Sequence, residues 1–139
     1  MSILGNPVTF GGGAHPGVVA ALYDTMTGNT YTTIGQDKGH NEKYFTLANS
    51  VLTCVKAGTY VIYYFPRGAN SSSGTSITNS YRIYQNGTKV VDDTSGVGNA
   101  GTQSSVTVTL AAGDTIHYQC KASNSATRIS MGIVICPSE

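Results

Sequence analysis

The sequence has no tryptophan, only 11% charged residues and three cysteines in 139 positions. An average soluble chain carries about 25% charge, so the polarity here rests on Gly, Ser, Thr and Asn. The eight Lys and Arg are scattered singly and the formal net charge is +1. Nothing supplies the clustered basic stripe that binding to DNA or RNA by counterion release requires. Nor does any apolar run approach the roughly 20 residues of a membrane span. The N-terminus lacks the charged and apolar segments of a signal peptide, so the chain is expected to start at Met1 and to be made in the cytoplasm. Cys54, Cys120 and Cys136 cannot all pair within one chain, and each sits in an apolar run without a C-x-x-C spacing. They read as reduced core residues rather than as a disulfide or metal site. The two N-x-S/T matches, at Asn70 and Asn86, read as chance.

What is present is a period of two. From Phe45 onward, segments rich in Val, Ile, Tyr and Thr alternate with Gly, Asn, Asp and Ser clusters, which predicts an all-β chain. In Ser104 to Leu110 the alternation places Val106, Val108 and Leu110 on one face and hydroxyls on the other. After Ala111-Ala112-Gly113-Asp114, the run Thr115 to Cys120 turns Ile116, Tyr118 and Cys120 inward, and the two strands read as a hairpin. A second hairpin is expected where Tyr81 to Gln85 and Thr88 to Val91 flank Asn86-Gly87, a dipeptide suited to a type I′ turn. Residues 18 to 44 carry weaker signals. Val18 to Tyr23 fits a short helix or a strand, Thr30 to Ile34 looks extended, and Gln36 to Lys43 reads as a charged loop.

Two segments break the alternation. In Thr59 to Phe65 and in Ile129 to Cys136 both side-chain sets are largely apolar or aromatic, whereas an antiparallel strand of a monomeric sandwich has one wet face. A neighbouring subunit is the simplest cover, with loops of the same chain as the alternative. The residues assigned to that contact are Tyr60, Ile62, Tyr63, Tyr64, Phe65, Met131, Ile133 and Ile135. The polar connections Arg67 to Asn79 and Asp92 to Gln103 are expected as exposed loops, with Asn70, Ser72, Asp92 and Asp93 as their outward groups.

The first 17 residues include NPVTFGGGAHPG and have only two small apolar clusters, Ile3-Leu4 and Val8 to Phe10. They read as a glycine-rich arm, supple and able to bury Ile3, Leu4, Val8 and Phe10 only against a sister subunit or a larger assembly. A disordered tail is the alternative. Residues 18 to 139 then form one domain.

Motifs of chemistry are weak. Gly96 to Gly101 matches G-x-G-x-x-G, but a strand and not a helix follows it, so it reads as a loop. Asp92 to Gly96 resembles the Asp-Thr-Gly signature of aspartic proteases with one residue too many, and it lacks EF-hand spacing for Ca²⁺. His15, His40 and His117 fall in an arm, a loop and the outward face of a strand. No catalytic residue, metal site or cofactor is assigned, and the nine tyrosines read as packing groups.

The order of motifs is nonetheless specific. A-G-T-Y-V-I-Y-Y from Ala57, Y-R-I-Y-Q-N-G-T-K-V from Tyr81, V-T-V-T-L-A-A-G-D-T-I from Val106 and a closing strand Met131 to Ile135 resemble the jelly roll of the complement globular head and tumour necrosis factor. The resemblance covers roughly Phe45 to Pro137 and implies an antiparallel β-sandwich of about eight strands, forming a homotrimer around aromatic strands. In its small size, glycine-rich P-V-T-F-G-G-G arm and hydroxyl-rich sandwich, the chain also looks like virion proteins of tailed bacteriophages: head fibres, capsid decoration proteins and tail tips. That likeness implies a non-enzymatic structural protein of the virion, bound to a capsid or other virion protein. A receptor- or carbohydrate-binding module, with a host surface glycan as ligand, is the alternative function, and a small hydrolase a third.

Overall fold

The computed structural model describes residues 8–10, 13–15, 17–27, 29–69, 79–95, 104–122 and 128–138. These form strands and connecting turns, with no helix among the described residues. In chain order the strands are β1 Val8–Phe10, β2 Gly13–His15, β3 Ala20–Thr27, β4 Thr32–Ile34, β5 Gln36–His40, β6 Phe45–Ala48 and β7 Val51–Cys54. They continue with β8 Gly58–Ala69, β9 Asn79–Gln85, β10 Thr88–Ser95, β11 Ser104–Leu110, β12 Thr115–Ala122 and β13 Arg128–Pro137. The strands outnumber the eight expected because β4 to β7 are pieces of three to five residues, too short for an alternation to show.

Two antiparallel sheets face one another. One runs β11-β8-β13-β3-β5; the other runs β10-β9-β12-β7-β6, with β4 also on β12. β9 lies along one edge of β12, while β7 and then β4 follow in tandem along its other edge. Alternation in each strand directs one side-chain set between the sheets. Leu22, Ile62, Ile133 and Ile135 from the first sheet meet Phe45, Leu52, Ile83 and Ile116 from the second, all at 1% exposure or less. Phe45 packs edge-on against Tyr60 at 5.1 Å, and the Tyr118 hydroxyl donates across the sandwich to the Met131 carbonyl at 3.1 Å.

The Asn86-Gly87 hairpin forms as expected. Gln85 pairs with Thr88, and positive φ at both Asn86 (51°) and Gly87 (79°) is the type I′ signature. The Ala111 to Asp114 turn is different. β11 pairs with β8 and β12 with β9, so the turn is a corner between sheets and not a hairpin. It is fastened to β7 instead: Gly113 N–H donates to the Cys54 carbonyl at 2.8 Å and Cys54 N–H to the Asp114 carbonyl at 2.7 Å.

Two further expectations change, and one alternative is decided. Of the helix and the strand that Val18 to Tyr23 fits, the structure has the strand: β3 starts at Ala20 and lies between β13 and β5. The stretch read as a charged loop, Gln36 to Lys43, begins with edge strand β5, whose Asp37 accepts from the Gly39 N–H at 2.8 Å at a bulge opposite Ala21 and Leu22. Asp92 and Asp93 lie on β10, which continues to Ser95, and are not loop residues. Asn70 and Ser72 lie outside the described residues, as does the whole glycine match at 96–101.

Candidate functional site

The two outer faces of the sandwich differ in chemistry. On β8, buried Tyr60, Ile62 and Tyr64 alternate with half-buried Val61, Tyr63 and Phe65. The register carries that outward set across the sheet. Phe65 pairs with Gly132 and Gly132 with Tyr23; Tyr63 pairs with Val134 and Val134 with Ala21; Val61 pairs with Cys136. The outer face of the five-stranded sheet is therefore apolar and aromatic along β3, β13 and β8. It gives way to Ser105, Thr107 and Thr109 on β11.

Gly132 fixes the shape of this face. A Cβ at that position would sit 2.5 Å from Phe65 Cε2 and 3.1 Å from Cδ2, so the ring lies directly over the glycine. Tyr23, 39% exposed, borders the same glycine from the other side. An aromatic that covers a strand glycine recovers part of the packing a side chain would have supplied.

Of the eight residues assigned to a subunit contact, only Tyr63 and Phe65 point outward. Tyr60, Ile62, Tyr64, Met131, Ile133 and Ile135 are at most 6% exposed within the single chain, where they meet the second sheet. A strand apolar on both sides gives one set to its own core, so those six are core residues. The outward candidates that replace them are Val61, Val134, Cys136, Ala21 and Tyr23.

The outer face of the six-stranded sheet is polar and cationic. Arg82 Nε donates to Asp92 Oδ1 at 3.1 Å, and Lys89 Nζ reaches Asp92 Oδ2 at 2.8 Å. Those two bonds, the lysine's first, hold the Asp92 carboxyl below the ordinary carboxylate range. The Arg82 guanidinium also lies 3.7 Å from the centroid of the Tyr31 ring, and Lys121 Nζ approaches the same ring at 4.7 Å. Beside them Tyr84 and His117 stack at 4.7 Å with planes 4° apart, and Gln119 donates to the Thr33 hydroxyl at 3.0 Å. Burial lowers the His117 pKa and favours the neutral ring.

Several other titratable groups are tied into the fold. Asp37 Oδ2 contacts His40 Nδ1 at 3.1 Å, while its Oδ1 closes the β5 bulge. Cys54 and Cys120 are buried free thiols and Cys136 is half-buried on the outer apolar face. Burial raises all three, Cys120 to about 12. Of the arm, Ile3 and Leu4 lie outside the described residues. Val8 and Phe10 lie on β1, which pairs with β2 in a two-stranded sheet separate from both large ones.

No family model matches the sequence, and no curated protein matches it. Solved structures do. The globular domain of the zebrafish complement 1qA protein aligns at TM-score 0.52 and 12% identity, covering 84% of this chain and 94% of that one. Murine APRIL aligns at 0.49 and 12%, over 85% and 98%. Rabbit GITRL aligns at 0.46 and 13%, over 81% and 92%. The chain has the antiparallel β-sandwich of the tumour-necrosis-factor and complement-head jelly roll.

Proposed function

We propose that the chain is a non-enzymatic structural protein of a bacteriophage virion, of the capsid-decoration or head-fibre type. It assembles as a homotrimer through the outer face of its five-stranded sheet and attaches by residues 1–17 to a capsid or other virion protein. It is made in the host bacterial cytoplasm and resides in the virion. The observation that carries the reading is the apolar outer face: Val61, Tyr63, Phe65, Tyr23 and Val134 lie together on a protein whose surface is otherwise hydroxyl-rich. Contiguous apolar patches of that kind mark interaction sites, and closed rotational symmetry is the usual way a chain covers one with copies of itself. The arm supports the second half. Its hairpin Val8–Phe10 and Gly13–His15 belongs to neither large sheet, and its glycines allow three arms to leave a threefold body at different angles.

Light scattering on the full-length chain and on a form lacking residues 1–17, followed by a pull-down on purified capsids, tests both parts. Two trimers, with only the full-length chain retained on capsids, is the expected result. A monomeric full-length chain would overturn the trimer. Equal capsid binding of both forms would overturn the docking arm.

A further inference from the structure

The cationic face of the six-stranded sheet takes no part in the proposed assembly, and its chemistry is specific enough to name a ligand. Arg82, Lys89 and Lys121 stand on one face with Asp92, whose carboxylate is shared by Arg82 and Lys89. Among the described residues Lys121 has no carboxylate partner. Two cations, Arg82 and Lys121, converge on one ring, Tyr31. Like charges drawn together favour an anion between or above them. This concentration of charge occurs in a chain whose formal net charge is only +1.

The Arg82 guanidinium is also held in place. Asp92 fixes its Nε edge and the Tyr31 ring lies against its plane. A guanidinium carries five N–H donors in a rigid fork; Nε is used toward Asp92 and a further bond goes to the Tyr84 side chain, which leaves donors for a ligand. A carboxylate is the anion that matches such a fork in two parallel bonds. Around this point the face offers groups that read hydroxyls: the Gln119 amide, the Thr33 hydroxyl and the Tyr84–His117 pair, spread over neighbouring strands about 4.8 Å apart. Three cations are too few for a nucleic-acid backbone.

We infer that the outer face of β10, β9, β12 and β4 is a binding site for a carboxylated saccharide, with Arg82 and Lys121 taking the carboxylate. Gln119 and Thr33 read the hydroxyls beside it. The site lies on one protomer and does not depend on the trimer or on the virion reading.

The test is isothermal titration of the full chain with trigalacturonate and with its methyl ester, alongside amide chemical-shift mapping. The acid should bind with a dissociation constant on the order of 1 mM, and the ester should be weaker by about tenfold or more. Arg82→Lys, which keeps the charge but not the fork, and Lys121→Gln should each weaken the acid about tenfold. Shifts should centre on Tyr31, Arg82, Gln119 and Lys121. Equal binding of acid and ester, no binding up to about 10 mM, an Arg82→Lys chain that binds like the original, or shifts confined to the apolar face would each overturn the site. Should Arg82→Lys lose its fold by circular dichroism, Lys121→Gln decides, because Lys121 has no ion pair among the described residues.

Discussion

Gly132→Ala is the sharpest probe of the apolar face, because one methyl group has to displace one ring. The new Cβ would lie 2.5 Å from Phe65 Cε2, well inside van der Waals contact, so Phe65 must rotate off β13. Overpacking of this kind costs about 1–3 kcal/mol. Replacing a strand glycine by alanine returns about 0.5–1 kcal/mol through the unfolded chain. The difference is a loss of about 0–2.5 kcal/mol within the protomer, and thermal midpoints move by about 4 °C per kcal/mol for a chain of this size. The proposed trimer should suffer more, since the displaced ring would leave a ridge on the surface that a second copy has to match. Each 1.4 kcal/mol lost there raises the dissociation constant about tenfold. Thermal melts and light scattering over a dilution series read the two effects separately. A Phe65→Ala background removes the clash. In it Gly132→Ala should be neutral or slightly stabilising, a coupling of about 1–3 kcal/mol between neighbours. If Gly132→Ala alone leaves both the midpoint and the trimer unchanged, the packing argument for this face fails.

Other perturbations test the rest of the fold. Tyr118→Phe removes the donor to the Met131 carbonyl across the sandwich and should cost about 1–2 kcal/mol in urea denaturation without altering oligomeric mass. Gly87→Ala places a Cβ at φ 79° in the β9–β10 turn and should cost about 1 kcal/mol by the same assay. Stability should hold at neutral pH and fall as pH rises from about 9 toward 12. The Cys120 thiol ionises near its ordinary value when unfolded but is pushed up to about 12 when folded, so the unfolded chain gives up its proton first. Cys120→Ala should lessen that alkaline slope, and the part that remains belongs to Tyr60, Tyr118 and the other two thiols, which burial also raises. In the native protein an aromatic disulfide reagent should label Cys136 before Cys54 and Cys120, which are buried, and Gly132→Ala should speed labelling of Cys136 by opening the subunit contact.

Much of the sandwich was readable because β9 to β12 obey strong local rules. Asn86-Gly87 dictates a type I′ turn, and Val106, Val108 and Leu110 cannot all be inward in any other register. Connectivity was less readable. Nothing local to Leu110 to Thr115 distinguishes a hairpin from a corner; the choice is made by Cys54, more than 50 positions away, whose backbone ties the turn to β7. Gln36 to His40 escaped notice because Asp, Lys and Gly are poor strand formers and β5 is an edge held mainly by backbone pairing. Among the subunit residues the error was one of parity. Tyr60, Ile62 and Tyr64 share a strand with Val61, Tyr63 and Phe65, and only the register of β8 against β13 says which set faces out. The cationic face gave no signal at all, since Tyr31, Arg82 and Lys121 come from separate strands and connections. Reading the outward positions opposite Ile83, Tyr118 and Cys120 is the one route that reaches Arg82, Tyr84, His117, Gln119 and Lys121.

The separation of the two faces has an energetic consequence for binding. In the proposed trimer, copies joined through the five-stranded sheet would bury Phe65 and its neighbours and leave the Arg82 side of every protomer toward solvent. A site of about millimolar strength is weak alone, but linked sites gain about 10²–10⁴ in avidity when one polymer spans them. Strong binding would then depend on Phe65 and Gly132 even though neither touches the saccharide. Surface plasmon resonance on immobilised polygalacturonate separates the contributions. Arg82→Lys should weaken monovalent and multivalent binding together, whereas Gly132→Ala should leave trigalacturonate affinity intact and reduce retention on the polymer by about 10²-fold or more. Equal retention of the Gly132→Ala and original chains would break the link between assembly and binding.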